Sequence, residues 1–351
     1  MQKNKLWFLF SIFLIQTLSL ITIWSTVPDL FLVQLSFAIV GILIIFVMSK
    51  IDTSLLFSLS NFWYILSIFL LLITFFVGKE IRGSVRWIDL GFFNLQTSEI
   101  IKPLLAIFYS FYLANNPLKK TKDLLFFLFI CLIPVAIVAK QPDLGSALTL
   151  LFLPVSLLII TGHAKKVFLG LIIFLSVAIP LEAKLLKPYQ KERLETFINP
   201  YRDPKGAGYN IIQATIAVGS GGIFGKGVRL GTQSHLNFLP ERHTDFIFAS
   251  YVEEFGLVGA IFLLSSFFII FRYCLDIARR QKDQKNFLLV FSVFSLFLFQ
   301  FVVNVGMNLG IMPVTGITLP IFSYGGSSLI SFALLLGIII RQLDLLPPIE
   351  I

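Results

Sequence analysis

Charge is scarce in this chain. Asp, Glu, Lys and Arg make up 13% of its 351 residues, against roughly 25% in a soluble domain. Set beside 57% hydrophobic residues, that scarcity excludes an ordinary soluble fold. Cysteine is scarcer still: Cys131 lies in an apolar stretch and Cys274 in a basic loop, which makes neither a metal-ligand set nor a disulfide framework. No small-residue cleavage site follows the apolar run after Lys3 and Lys5, so the first segment reads as a retained helix rather than a signal peptide. A phosphate loop is missing too. The run from Gly219 to Gly227 invites one, but Ser220 stands where the first glycine is required and Gly227 where a hydroxyl residue is. It is better read as a flexible or close-packed loop able to cover a substrate groove.

What the chain does have is apolar length. Ten hydrophobic segments lie near 6–25, 30–48, 57–77, 99–114, 124–139, 144–161, 166–183, 246–271, 286–304 and 324–340, close to the roughly 20 residues that cross a bilayer. The expected fold is an all-α polytopic membrane protein, one domain over 1–351, with ten transmembrane helices. A long extracytoplasmic loop, about 184–245, separates the seventh helix from the eighth. A glycine-rich segment, about 305–326, interrupts what could have been one long span. At that depth, non-helical backbone must be buried in protein or line a wet cavity.

The net charge of +9 would suggest nucleic acid in a soluble protein. Here it reads as asymmetry across a membrane, with no nucleic-acid partner. With the N-terminus in the cytoplasm, fourteen lysines and arginines fall in the inner loops and five in the short outer loops, while thirteen of the 19 acids fall on or near the outer side. Both termini are therefore expected in the cytoplasm and the chemistry outside.

Four polar constellations stand out. In Glu241-Arg242-His243-Thr244-Asp245, at the mouth of an apolar helix, Asp245 could belong to a helix cap or be a carboxylate at the membrane boundary serving as a general base. Glu253 and Glu254, two turns deeper, are intramembrane acids with a functional expectation. Glu99 and Lys102 could form a local i,i+3 pair or receive an anionic head group, with Arg82, Arg86 and the interfacial Trp87 beside them. Asp143, in Lys140-Gln141-Pro142-Asp143-Leu144-Gly145, could cap the following helix or face a substrate.

Four runs together resemble the SEDS family (shape, elongation, division and sporulation). They are Leu239–Phe248, Gln141–Gly145, Gly231–Ser234 and Leu319–Ser328. Arg242, Asn304-Val305-Gly306-Met307 and Pro313-Val314-Thr315-Gly316 are most similar to its RodA branch rather than the FtsW branch. Thr97 stands where the family usually has proline; threonine can still start a helix, so little harm is expected beyond the local backbone entry.

The resemblance implies a bacterial peptidoglycan glycosyltransferase of the cytoplasmic (inner) membrane. Such an enzyme polymerises lipid II with undecaprenyl-linked glycan, during elongation, at the outer, periplasmic face. It implies Asp245 as the catalytic residue, with Glu99, Lys102 and Asp143 in support; Arg86, Glu241, Arg242, His243 and Thr244 lie beside them. It also implies a class B penicillin-binding protein and rod-shape complex proteins as partners, and a divalent cation (Mg or Mn) but no nucleotide. A lipid II flippase is the alternative, although a transporter would favour charge near the midplane and internal repeats. A pure scaffold would leave the outer polar motifs without a purpose.

Overall fold

The structure is a computed structural model that describes residues 2–346 apart from 82, 83, 92, 171, 173–195, 205 and 207. The apolar stretches form long helices, as the sequence predicts: α1 Gln2–Thr26, α2 Phe31–Met48, α3 Thr53–Ser58 and α4 Ser60–Val77. After a short sheet come α5 Thr97–Asn115, α6 Thr121–Lys140 and α7 Leu144–Leu158; then α8 Tyr209–Ser220, α9 Thr232–His235, α10 Ile247–Arg280, α11 Gln284–Asn308 and α12 Gly326–Leu345. Among the described residues eight spans are long and apolar enough to cross a membrane, and the chain is a multi-pass membrane protein. One of the eight continues from α7 through a π-helical turn, Ile159–His163, to Gly170. Of the rest of the expected 166–183 segment, only Ile172 is among the described residues.

The eight spans do not include α5, which packs against α4, α7, α11 and α12. Thirteen of its 19 residues are buried, Glu99 and Lys102 among them. A helix surrounded by other helices has no lipid to face, so it can carry polar residues that partner one another. The outer helices show the converse: Leu32, Phe46, Phe76 and Phe129 are exposed, as a lipid-facing surface requires. Close packing of α2 on α12 depends on small residues. A Cβ on Gly41 would strike Leu329, and one on Gly337 would strike Met48.

Four expectations change, the last of them in the glycine-rich segment. The polar stretch between α4 and α5 is a three-stranded antiparallel sheet, β1 Lys79–Ile81, β2 Ser84–Asp89 and β3 Asn94–Gln96. Trp87 pairs with Lys79 on one side and Gln96 on the other. Strands of three to six residues carry too few alternations to be read as strands. Cys274 lies not in a loop but in α10, which runs nine residues past the expected end at 271, and it is buried and free. The long loop is also partly helical, with α8 and α9 within it.

From Leu309 to Gly325 the backbone is non-helical and much of it is buried, including Thr315, Ile317, Leu319, Ile321, Phe322 and Ser323. Several of its carbonyls accept hydrogen bonds from side chains of other helices. Gln16 Nε2 donates to the Ile321 carbonyl at 2.5 Å, Ser19 Oγ to Phe322 at 2.6 Å and Gln34 Nε2 to Ser323 at 3.5 Å. This is the accounting that irregular backbone inside a membrane protein demands. The segment is shorter than the expected 305–326 because α11 stays helical to Asn308.

Candidate active site

Asp245 sits in a turn just ahead of α10, whose N-cap is Phe246, with no side-chain cap. Neither His243 nor Thr244 is the N-cap, so the capping reading gives way to a turn held by its backbone. Glu241, at φ +51, accepts from the amides of Thr244 and Phe246, both at 3.1 Å. The Thr244 hydroxyl donates to Glu241 Oε2 at 2.8 Å. The carbonyls of His243, Thr244 and Asp245 are each fastened to another element. That of His243 accepts from the Tyr324 amide at 2.9 Å and that of Thr244 from Ser323 Oγ at 2.8 Å. That of Asp245 accepts from Asn304 Nδ2 at 3.0 Å and Asn308 Nδ2 at 2.9 Å. The His243 ring meets Tyr324 edge to face. Arg242 reaches the other way, donating to the Thr26 carbonyl and to Asn237, and its partial burial lowers its pKa. Asp245 itself is only partly buried.

Asp143 does cap α7, with Oδ1 accepting from the Ser146 amide at 3.2 Å. Capping is not its whole role. Its Oδ2 accepts from Gln96 Nε2 at 3.1 Å and Ser98 Oγ at 3.3 Å, and Arg86 Nη1 stands 3.5 Å from Oδ1. The sheet explains this convergence: β2 delivers Arg86, stacked on Trp87, and β3 runs straight into α5 with Gln96 and Ser98 at the join. Thr97, at the first position of α5, receives a hydrogen bond from Thr74 Oγ1 at 2.8 Å; a hydroxyl thus serves where proline would only fix φ.

One turn along α5, Lys102 Nζ contacts Glu99 Oε1 at 2.5 Å, with the ammonium beside the Phe332 ring. The pair is the local i,i+3 one, and Lys102 is 1% exposed, so its charge lies behind the site surface rather than on it. Arg82 lies outside the described residues.

The non-helical segment joins these groups. A Cβ on Gly145 would collide with the Thr315 carbonyl, so glycine there lets the Asp143 turn press against the segment. One residue later, a Cβ on Gly316 would lie 3.6 Å from Asp245 Oδ2. Thr315-Gly316 therefore sits between the Asp143 turn and the Asp245 carboxylate.

Glu253 and Glu254 do not join the site. Glu253, fully buried, accepts from Lys226 Nζ at 2.8 Å, the Gln233 amide at 2.9 Å, and the Ser234 amide and hydroxyl at 3.1 and 2.9 Å. Glu254 Oε1 accepts from Ser25 Oγ at 2.5 Å and the Arg229 amide at 3.3 Å, with His235 Nε2 at 2.9 Å. These acids tie the 225–235 stretch down to α10 and α1. The glycine run is close-packed there as well. At Gly256 (φ +66) α10 breaks, and Leu257 and Val258 donate to the carbonyls of Gly222 and Ile223.

The residues missed in sequence are the site's buried amides and hydroxyls, above all Asn304 and Asn308. Their signal was present: two amides at i,i+4 in an apolar helix share one face, and polar side chains inside a span want partners. Among the described residues, no group of three or more His, Cys, Asp or Glu could hold a metal ion.

Comparison with known proteins gives one family. The family model described as "Cell cycle protein", covering FtsW, RodA and SpoVE, matches residues 3–344. Peptidoglycan glycosyltransferase MrdB of Escherichia coli K12 is 38% identical over 304 residues, 85% of this chain and 81% of that protein. A probable peptidoglycan glycosyltransferase FtsW of Buchnera aphidicola is 37% identical, covering 85% and 86%. A solved chain from a study of polymerization and crosslinking by a peptidoglycan synthase complex superposes with a TM-score of 0.84 at 31% identity, covering 96% of this chain and 97% of that one. RodA of Thermus thermophilus, a rod shape determining protein, gives 0.73 at 27% identity, covering 96% of each chain. A match over nearly the whole length, in sequence and in fold, makes this chain a member of the FtsW/RodA/SpoVE family, the SEDS proteins.

Proposed function

We propose that this chain is a peptidoglycan glycosyltransferase that polymerises lipid II into glycan strands, with Asp245 as its general base. One observation carries the assignment of the base. In a chain whose relatives are named peptidoglycan glycosyltransferases, a part-exposed carboxylate stands at a helix mouth with its own carbonyl, and the two before it, fastened to other elements. Such a group can meet an incoming hydroxyl in a fixed geometry.

The acceptor is the GlcNAc 4-hydroxyl of lipid II, and the donor is a glycan whose reducing-end MurNAc is α-linked to undecaprenyl pyrophosphate. Asp245 takes the hydroxyl proton as the oxygen attacks the anomeric carbon from the opposite face. The new β-glycosidic bond forms as the bond from that carbon to the pyrophosphate oxygen breaks, and undecaprenyl pyrophosphate leaves with the electron pair. Arg86, part-exposed at the Asp143 turn, would help neutralise the departing pyrophosphate. Lys102, buried against Glu99, supports from behind with its field. Glu241 and Thr244 hold the turn; Arg242 and His243 anchor it to α1 and Tyr324.

A divalent cation enters this proposal only as a companion of the pyrophosphate. Magnesium commonly uses one or two carboxylates and completes its shell with phosphate and water. The described residues build no resident cage, and no step above runs through a metal.

The topology proposed with it is a bacterial inner-membrane protein with both termini in the cytoplasm and the Asp245 end outside, supported by the lysine and arginine asymmetry. The partners proposed are a class B penicillin-binding protein, supported by the likeness to a chain of a synthase complex that couples polymerization to crosslinking, and rod-shape proteins. Purified protein given labelled lipid II, with and without that partner, tests the reading. Glycan product from wild type and none from Asp245→Asn is expected. Lipid crossing a liposome without product would instead make it a flippase.

A further inference from the structure

We infer that Asn304 and Asn308 are positioning residues for the reaction, forming a buried amide clamp that fixes Asp245 relative to the backbone facing its carboxylate. This rests on the reading of Asp245 as the base.

Both asparagines are fully buried, one helical turn apart on α11. The two N–H groups of the Asn304 amide have separate destinations: the carbonyl of Asp245 at 3.0 Å and that of Ile317 at 2.8 Å. Ile317 follows Gly316, where an added Cβ would lie 3.6 Å from Asp245 Oδ2. A single planar amide thus spans the two sides of the site. Its two hydrogens leave the nitrogen in fixed directions, so it sets the spacing between the residue that bears the carboxylate and the strand that faces it.

Asn308 completes the device. Its Nδ2 donates to the same Asp245 carbonyl at 2.9 Å and to the Asn304 carbonyl at 2.8 Å, while its Oδ1 accepts from the Ala249 amide at 2.9 Å. The Asp245 carbonyl therefore has both lone pairs engaged by amides of α11, and Asn308 also grips the first turn of α10. In a buried setting such bonds are costly to leave unmade, which makes the arrangement stiff. Neither asparagine touches the carboxylate, so neither is a catalytic residue. Each acts through Asp245, and displacement of a reacting group by about 1 Å costs about 100-fold in rate.

Loss of any buried amide lowers stability, so the experiment needs a structural control. Gln342 supplies it. It is fully buried in α12, and its Nε2 donates to Thr53 Oγ1 at 3.2 Å and Asn286 Oδ1 at 2.9 Å, near the opposite ends of α11 and α12. Asn304→Ala, Asn304→Ser, Asn308→Ala, Gln342→Ala and Asp245→Asn are purified in detergent. For each, kcat, KM, the pH profile of kcat and the unfolding temperature are measured with lipid II.

The expected result is a fall in kcat of about 10- to 100-fold for the two Asn→Ala variants, corrected for folded fraction, with KM within about twofold. The acid limb of the pH profile moves, because the base has moved. Asn304→Ser, which keeps one donor, falls between Asn304→Ala and wild type. Gln342→Ala unfolds earlier yet keeps kcat and the profile. The clamp is overturned if the asparagine variants turn over at the wild-type rate per folded molecule, or lose kcat only as Gln342→Ala does, while Asp245→Asn is inactive. An active Asp245→Asn overturns the base and the clamp together, which distinguishes that failure from a failure of the clamp alone.

Discussion

Asp245 and Glu253 lie eight residues apart and differ in burial and in how their main chains are anchored. Glu253 is fixed by its side chain: its two carboxylate oxygens accept from a lysine, two backbone amides and two hydroxyls. Asp245 is fixed by its main chain, through a carbonyl gripped by two asparagines, and its side chain faces Gly316 at a partly exposed surface. The first arrangement uses a charge as a structural knot, in which the hydrogen bonds offset the desolvation of a buried carboxylate. The second holds the backbone that carries a part-exposed carboxylate, which is what the proposed base requires. Burial of an acid inside a membrane domain can therefore serve structure alone.

The hardest test of this contrast replaces each acid. Asp245→Asn keeps the turn's backbone bonds and removes the base, so polymerisation should fall by about 100- to 10,000-fold while the protein stays folded. Glu253→Ala should do the reverse. Stripping the acceptor from Lys226 and the 232–234 amides and hydroxyls costs about 3–5 kcal/mol when a buried charge pair is broken. Thermal unfolding in detergent should show that loss, and proteolysis should reveal a loosened 225–235 stretch. If Glu253→Ala instead leaves stability intact and abolishes turnover, the contrast is wrong.

The sequence carried the helices because membrane spans are long and uniform, and even α5 was visible as an apolar stretch despite its polar start. It also carried the acids, since a carboxylate in an apolar setting is conspicuous. It did not tell Glu253 from Asp245, because the difference lies in partners rather than in either residue. The donors to Glu253 come from 19 to 27 residues upstream and those to Asp245 from 59 and 63 residues downstream. Asn304 and Asn308 went unread as site residues for the same reason. The small sheet was missed on length alone, although it is what carries Arg86 to Asp143. Gln16, Ser19 and Gln34 were opaque too: a polar residue in a span announces a partner but does not name it.

A smaller effect probes the glycine run that packs against the Glu253 knot. Gly256 breaks α10 at φ +66, and an added Cβ would collide with the Gly225 amide. Gly256→Ala should cost about 1–3 kcal/mol, the range for a residue forced into a sparsely populated backbone region. It should leave the kcat of the folded fraction near wild type, since the lesion lies on the Glu253 side of the contrast. Unfolding temperature and turnover measured on the same preparation check both halves.

Asp143 falls between the two classes, and Arg86→Ala decides where it belongs. The Asp143 carboxylate is as fully engaged as that of Glu253, yet its turn presses on Thr315, next to the glycine that faces Asp245. Removing Arg86 leaves Asp143 with Gln96, Ser98 and the Ser146 amide, so the cap survives and stability should hardly change. The guanidinium stands 3.5 Å away and is part-exposed, which limits its contribution to about 1 kcal/mol. If Arg86 meets the pyrophosphate, KM for lipid II rises about three- to tenfold and rising salt narrows the difference from wild type. If KM is unchanged and the protein merely unfolds earlier, Arg86 and Asp143 are a second knot of the Glu253 kind.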